Sequence, residues 1–447
     1  MLNQFLFKSY RFFYLWETWW RRRFTNPGLF VFSIIIISAL LGIDTTRNMI
    51  YQIFTFSSVL LLISMLYALF FKADFKVKRE LPKFVTVNQK FHYRIEIKNL
   101  TGKFQKDLFL FENPKDPRPD LEELLSAREP GEEKRNLWDR KIMYYRWLWL
   151  IRQNQKAWFG ENIIPDILPD GIVSFNAELT PGNRGYIQFS GVIIARPDPF
   201  GLFMAFKRID CIQKLLVLPR RYSIPEMHLP GTRNYHSGGV TLASAVGNSE
   251  EFVSLREFRP GDPIRNIHWK SWAKTDNLII REFQDEYFTR HALILDTYHD
   301  QAHSDIFEEA ISVASSFAGS IKAEEAILDL MFVGNQAYCF SSGRGLSTSE
   351  KIMEILACIQ TVREKNISEI LPLIEEYAPL LSGSICIFLK WDKHRQTIFD
   401  RLKATGSPCL AMVVTDNKEL CLEQLQSYSD EVYILESGRI QEGLMQL

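Results

Sequence analysis

Between Leu29 and Ile43 the chain carries no charge and is almost wholly apolar. With Pro27 and Gly28 ahead of it, the stretch would run roughly 25 Å as a helix. After Asp44, Thr45, Thr46, Arg47 and Asn48, a second uncharged stretch runs from Met49 to Phe71, long enough to cross a bilayer with some tilt. Two such stretches joined by so small a turn predict a transmembrane two-helix hairpin over residues 29–71. A further alternation starts beyond it. From Lys90 to Asn99, Phe91, Tyr93, Ile95 and Ile97 share one face and His92, Arg94, Glu96 and Lys98 the other, as a half-buried strand requires. Similar runs at Leu108 to Phe111, Ile172 to Leu179 and Tyr186 to Ile194, punctuated by turn residues such as Pro181, Gly182 and Asn183, predict a small β-sandwich over 72–220.

An insert at about 113–171 interrupts these strands. It opens with Pro and Asp/Glu clusters and then turns aromatic, with a helical pattern from Leu137 to Phe159. In that helix Trp138, Ile142, Tyr145 and Trp149 share a face, widened by Leu148 and Ile151. The face either packs on the sandwich or a partner chain, or lies on the lipid interface beside the hairpin. The last third changes rhythm: strand at Ala292 to Leu295, helix from about Asp305 to Lys322, strand at Ile327 to Val333, helix at Lys351 to Thr361. Strand at Ile385 to Leu389, helix at His394 to Thr405, and strands at Cys409 to Val414 and Glu431 to Leu435 complete the series. Such alternation predicts a doubly wound α/β sheet over 291–447.

Charge orients the hairpin. Lys8, Arg11, Arg21, Arg22 and Arg23 precede the first span and Lys72, Lys76, Lys78 and Arg79 follow the second, against Arg47 alone between them. By the positive-inside rule both flanks are cytoplasmic, so the soluble parts are expected on the cytoplasmic face of the inner membrane. In the leader, residues 1–28, the aromatic residues Phe12, Phe13, Tyr14, Trp16, Trp19 and Trp20 fit an interfacial belt. A cleaved signal peptide would not carry so long an aromatic and basic leader, nor a second span directly after the first. With no charge in either span the hairpin offers no polar path for transport and reads as a tether.

The 447 residues are too many for one ordinary core. Lys plus Arg (53) balance Asp plus Glu (53), so charged recognition must be local. The six cysteines, Cys211, Cys339, Cys358, Cys386, Cys409 and Cys421, are scattered, none in a C-x-x-C pair, which argues against a disulfide framework or a structural zinc site.

The most distinctive stretch is Glu251 to Phe283, within the linking region 221–290. Pro260 and Gly261 suit the central positions of a type II turn, Pro fixing φ and Gly accepting positive φ, and Asp262 can bond nearby backbone donors. Arg256, Arg259, Arg265 and Lys270 alternate with Glu257 and Asp262, and Trp269 and Trp272 offer large rigid surfaces. Two roles are open to such a cluster: a salt-bridged clamp, or an exposed patch that docks a partner.

This segment resembles the family catalogued as domain of unknown function 58, whose pattern is an Arg-Pro-Gly-Asp turn followed by Arg, Ile and Trp. The matching residues are Leu255, Arg256, Arg259, Pro260, Gly261, Asp262, Arg265, Ile267, Trp269 and Lys270. A second match runs from Arg184-Gly185-Tyr186 to Asp198-Pro199-Phe200-Gly201-Leu202-Phe203, the end of that family's β-rich region. Lys274 and Asp276 stand where the family usually shows Arg and Gly, and Trp272 replaces a small residue.

The resemblance implies a membrane-anchored multidomain chain with a C-terminal part similar to von Willebrand factor A domains, and association with a MoxR-type AAA+ ATPase. It therefore implies a non-enzymatic adaptor or assembly factor without a cofactor. A fully equipped A-type domain carries Asp-x-Ser-x-Ser after its first strand to meet Mg²⁺. Here that place reads Asp296, Thr297, Tyr298, His299, Asp300, with neither serine. Asp296, Asp300 and Asp392 can still gather near the strand ends, as a degenerate metal site or as solvated aspartates, and no tight Mg²⁺ binding is expected.

The alternative from another class is a membrane-anchored hydrolase using the Asp262/His268 region. The chain has no G-x-S-x-G elbow and no H-E-x-x-H. Gly102-Lys103 lacks the preceding P-loop glycine, and Gly343-Arg344-Gly345 lacks the third glycine of a dinucleotide fingerprint. Nucleic-acid binding through the Arg/Trp patch is disfavoured by the interleaved acids Glu250, Glu251, Glu257, Asp276 and Glu282.

Overall fold

The computed structural model describes residues 2–41, 48–225, 252–262, 264–275, 277–283, 289–301, 303–321, 326–343, 349–363, 365–425, 428 and 431–447. The turn expected at Asp44 to Arg47 lies outside them, as do Glu250, Glu251, Asp276, Arg344 and Gly345. The chain is a mixed α/β protein that divides into two compact units, Met1–Arg220 and Arg221–Leu447.

The first unit is built around two sheets. One joins β1 (Phe75–Glu80), β3 (Phe91–Asn99), β7 (Ile172–Pro181) and β5 (Ala157–Phe159), all antiparallel, in that order. The other has the order β2 (Phe84–Thr86), β9 (Met204–Leu218), β8 (Gly185–Pro197), β4 (Leu108–Pro114) and β6 (Asn162–Ile164). They share one core: Tyr93, Ile95, Ile97, Ala177 and Leu179 from the first sheet meet Leu110, Ile187, Phe189, Ile194 and Val217 from the second. The alternation read along Phe91 to Ile97 is therefore the inward face of β3, as a sandwich requires. Inside this apolar layer lies a buried ion pair. Arg79 donates from Nη2 to Glu112 Oε2 at 2.6 Å and from Nε to Glu112 Oε1 at 3.1 Å, and Tyr93 Oη donates to Glu112 Oε1 at 2.6 Å. The guanidinium also lies 4.4 Å from the Phe189 ring centroid. Such a pair is tolerated only because every member has partners.

The insert corrects the expected single helix over Leu137 to Phe159. Two short helices, α5 (Leu137–Ile142) and α6 (Tyr144–Asn154), are separated by Met143 at φ 58°, a left-handed break that no glycine or proline announces. Strand β5 takes the rest. The buried face overlaps the expected one only in part: Ile151 is inside, with Leu148 and Trp149 half-buried against it, but so are Met143, Trp147 and Leu150, together with Leu124 of α4 (Leu121–Ser126) and Ala127, while Trp138 and Tyr145 are exposed. What covers this face is the leader. Helix α1 (Leu2–Arg23) lays Phe7, Tyr10 and Tyr14 on it, and Tyr10 Oη donates to Ile142 O at 2.9 Å.

Two apolar helices follow, α2 (Asn26–Leu41) and α3 (Asn48–Leu69). Among the described residues one helix, Met49–Leu69, is long and apolar enough to cross a membrane by length and composition, and Asn26–Leu41 is a shorter apolar one. Val31, Phe32 and Ile35 early in α2 cluster with Leu60, Met65 and Ala68 late in α3, so the two run antiparallel. The start of α2 is pinned to the loop between β8 and β9. Thr25 N donates to Leu202 O at 3.2 Å, Phe24 pairs with Phe203, and Gly28 approaches so closely that a Cβ there would lie 2.0 Å from Leu202 O.

The second unit contains a six-stranded sheet in the order β14 (Ala337–Ser342), β13 (Ala326–Val333), β12 (Thr289–Leu295), β15 (Gly383–Phe388), β16 (Cys409–Thr415) and β17 (Val432–Glu436). All neighbours are parallel except the β13–β14 hairpin. The central strands are buried along all their length apart from Thr289 at the start of β12, as parallel strands covered on both faces must be. Helices α8 (Asp305–Ser320), α9 (Ser349–Cys358), α10 (Leu371–Tyr377), α11 (Lys393–Ala404), α12 (Lys418–Leu425) and α13 (Ile440–Leu444) accompany them, α8 capped by Ser304 Oγ accepting from Phe307 N. Numbered from β12, the order is 3-2-1-4-5-6, and it reverses direction between β12 and β15.

Candidate functional site

The signature segment folds as a two-stranded antiparallel ribbon of β10 (Phe252–Glu257) and β11 (Ile279–Phe283), with the short helix α7 (Trp269–Thr275) between them. Its turn has the expected shape: Asp262 N donates to Arg259 O at 3.0 Å, and Gly261 has φ 108°, which a side chain would strain. Arg256 grips Asp262 with both nitrogens, Nη1 to Oδ2 at 2.7 Å and Nη2 to Oδ1 at 2.8 Å, and Arg259 N donates to Oδ2 at 2.8 Å. The Arg256 hydrogen bonds, with that backbone amide, push the Asp262 carboxyl down to about 2.

These contacts are local and hold the turn itself. What they leave outside is aromatic. Trp269 and Trp272 are 55% and 39% exposed with ring centroids 5.4 Å apart, and Leu255, Ile264 and Leu278 are exposed with them. Arg259, Arg265 and Lys270 lie at the surface as well. Among the described residues of this segment, Ile267 and Ile280, paired in an isolated bridge, are the buried ones. His268 turns its Nδ1 to Ser271 Oγ at 2.6 Å, while Asp262 is taken up by Arg256 and Arg259. The two therefore do not form the acid–base pair that a hydrolase at this position would use.

The second candidate lies at the carboxyl ends of β12 and β15, the point where strand order reverses and where open α/β sheets bind ligands. Asp296 follows β12 and is fully buried. Its Oδ1 accepts from Tyr298 N (3.1 Å) and Arg395 Nη2 (3.1 Å), and its Oδ2 accepts from Leu389 N (3.1 Å), Arg395 Nε (3.0 Å) and Arg395 Nη2 (2.8 Å). Asp392 caps α11 through Oδ1, which accepts from His394 N and Arg395 N, and its Oδ2 accepts from Arg395 Nη1 at 2.6 Å. Asp300 turns away to accept from Tyr298 Oη at 3.2 Å.

Of the three aspartates, two are gathered, and the cation between them is a guanidinium. Burial pushes the Asp296 carboxyl up against the opposing pull of Arg395 and two backbone amides. Burial also raises Asp392, but the Arg395 charge and hydrogen bonds outweigh it and leave that carboxyl below its ordinary value. A carboxylate offers about four lone-pair sites, and those of Asp296 are already spoken for. Tyr298 and Asp300 stand at the two serine positions, and Thr297 between Asp296 and Tyr298 donates its hydroxyl to Val333 O. These residues do not fit a bound Mg²⁺, and among the described residues no group of three His, Cys, Asp or Glu side chains is placed to hold a metal ion.

Arg395 was not legible as a partner of Asp296, 99 positions away. One signal points to it: a cation in the first turn of a helix, beside the apolar Ile398 and Phe399, opposes the helix dipole unless carboxylates neutralise it.

The second sequence match also acquires a role. Asp198 Oδ1 accepts from Leu202 N and Phe203 N, both at 2.7 Å, and Oδ2 from Phe200 N at 2.9 Å. This tight loop, with Gly201 at φ 67°, is the socket that receives Thr25 and Gly28.

No protein-family model matches the chain. The uncharacterized protein YeaD of Bacillus subtilis (strain 168) is 26% identical over 210 residues, which span 41% of this chain and half the length of that relative. A solved structure of a beta-glucosidase from Paenibacillus barengoltzii aligns with 83% of this chain and 41% of its own at 8% identity and a TM-score of 0.14, a likeness that carries no argument.

Proposed function

We propose that the chain is a non-enzymatic adaptor or assembly factor of the domain of unknown function 58 family, tethered to the cytoplasmic membrane and working with a MoxR-type AAA+ ATPase. The observation that carries the proposal is the exposed Trp269/Trp272 face, raised on a ribbon whose turn is locked by Arg256 and Asp262. Large aromatic side chains such as these, carried on α7 beside the locked turn, are the type that dominates interface hot spots. The likeness to von Willebrand factor A domains is supported by the 3-2-1-4-5-6 strand order with an antiparallel third strand. Filling of the cation position by Arg395 favours a structural or recognition role for that domain over a metal-dependent one.

The tether is supported by the build of α2 and α3. Their outer surfaces are apolar, with Phe30, Leu40, Phe56 and Leu62 exposed, while small Ser38, Ser57 and Ser64 are buried. That arrangement inverts a soluble core and suits helices packed in lipid. The test is affinity purification of the full chain from membranes, intact and as Trp269→Ala/Trp272→Ala. Recovery of an AAA+ ATPase with the intact chain and its loss from the variant is expected. Equal recovery, or none with the intact chain, removes the adaptor reading.

A further inference from the structure

We infer that the outer face of α1 is a lipid-binding face, lying along the headgroup region of an anionic bilayer beside the apolar helices. The inference rests on the tether reading and extends it to a part of the chain outside the spans. Phe5, Phe12, Trp16 and Trp19 recur at i, i+7, i+11 and i+14, which places them on one stripe of a helix. They are 68%, 63%, 50% and 44% exposed. The opposite stripe, Phe7, Tyr10 and Tyr14, is occupied by the Trp147 cluster, with Phe7 and Trp147 centroids 5.9 Å apart. The helix is therefore held from one side and presents large aromatics on the other.

Two observations name the occupant. The helix carries Lys8, Arg11, Arg21, Arg22 and Arg23 against the single acid Glu17, and at 100° per residue Lys8 and Arg22 run along one edge of the aromatic stripe. Cations flanking an aromatic face match anionic headgroups over an acyl boundary. Docking of a second copy through this stripe would set these cations against their own counterparts. Continuity supplies the second argument. Only Phe24 and Thr25 separate α1 from α2, and both are pinned to the Leu202–Phe203 socket, so the tryptophan end of the stripe is fixed next to the first apolar helix. Trp and Tyr prefer that depth of a bilayer.

Neither α2 nor α3 contains tryptophan, so tryptophan quenching by brominated lipid does not report the spans, and its loss on replacing Trp16 and Trp19 assigns it to the leader rather than to the tryptophans elsewhere in the chain. The full chain would be reconstituted in vesicles of phosphatidylcholine and phosphatidylglycerol at about 3:1, with bromine near the headgroup end of the acyl chains, and compared with Trp16→Phe/Trp19→Phe. Phenylalanine keeps the apolar stripe and removes only the fluorophores. The intact chain should be quenched, more by shallow than by deep bromine, and the variant should lose most of that quenching. Vesicle-retained chain whose quenching is absent, or unchanged in the variant, overturns the inference while leaving the tether standing. Chain that does not float with the vesicles overturns the tether reading and this one with it.

Discussion

Replacing Arg395 by Met keeps most of the apolar stem and removes the charged guanidinium, so the loss it causes is chiefly electrostatic. The wild-type guanidinium has 2% of its side chain exposed and faces an Asp296 side chain with none. Removing one partner of a buried ion pair costs about 3–5 kcal/mol, because the remaining charge stays buried without compensation. For a unit the size of Arg221–Leu447, 1 kcal/mol moves the midpoint by about 2–4 °C, which gives a fall in Tm of about 6–20 °C. Scanning calorimetry of the full chain reads this directly. The double variant Asp296→Asn/Arg395→Met should recover most of the loss, since no charge is then stranded.

The pH dependence has a definite sign. Burial already pushes the Asp296 carboxyl up, and loss of Arg395 removes its main opposing cation. Protonation then stabilises the variant, so its deficit should shrink as pH falls through the raised value toward the ordinary 3.8. A Tm within about 2 °C of wild type for Arg395→Met, or a double variant no better than the single one, would refute the view that this guanidinium neutralises Asp296. So would micromolar Mg²⁺ affinity of the intact chain that disappears in Asp296→Ala.

Asp262 titrates in the opposite sense: its carboxyl lies at about 2 in the folded chain against an ordinary 3.8, so the clamp is intact above the ordinary value and is lost as pH falls between the two. Carbon-13 detection of that carboxyl in the full chain should follow this window, and a midpoint near 3.8 would contradict the Arg256 grip. In the sandwich, Arg79→Met strands Glu112, whose carboxyl burial already pushes up, and should cost about 3–5 kcal/mol by chemical denaturation; a loss below about 1 kcal/mol would show that the pair is dispensable. At the socket, Gly28→Val would drive a side chain into the Leu202 carbonyl, 2.0 Å from where its Cβ must sit. Limited proteolysis near residues 24–28 should accelerate, and unchanged protection would mean that the junction is not docked there.

Elements with strong period were legible: the Phe91 to Ile97 alternation is β3, and the alternating helix and strand pattern after Ala292 is the six-stranded sheet. Strand β9 was not, because Lys207, Arg208, Asp210 and Lys214 interrupt its apolar positions; its long pairing with β8 supplies what pattern does not. The β14 edge strand was hidden for a related reason, since Ala337–Ser342 is half-buried and lacks a run of β-branched residues. The break at Met143 depends on packing against α1, a contact between residues more than 130 positions apart.

The site divides along the same line. The Arg259–Asp262 turn was readable because Pro-Gly-Asp chemistry is local. Whether Arg256 or another cation held Asp262 depended on the ribbon's register, and the meeting of Asp296 with Arg395 depended on the sheet order.

The most direct test of the proposed adaptor role is the affinity of the full chain, held in nanodiscs, for a MoxR-type AAA+ ATPase. If Trp269 and Trp272 form a hot spot worth about 2 kcal/mol or more between them, then Trp269→Ala/Trp272→Ala should weaken Kd by at least about 30-fold while the calorimetric transition stays in place. Arg395→Met should do the reverse, lowering the transition and leaving Kd unchanged. An unchanged Kd in the tryptophan variant would contradict the account.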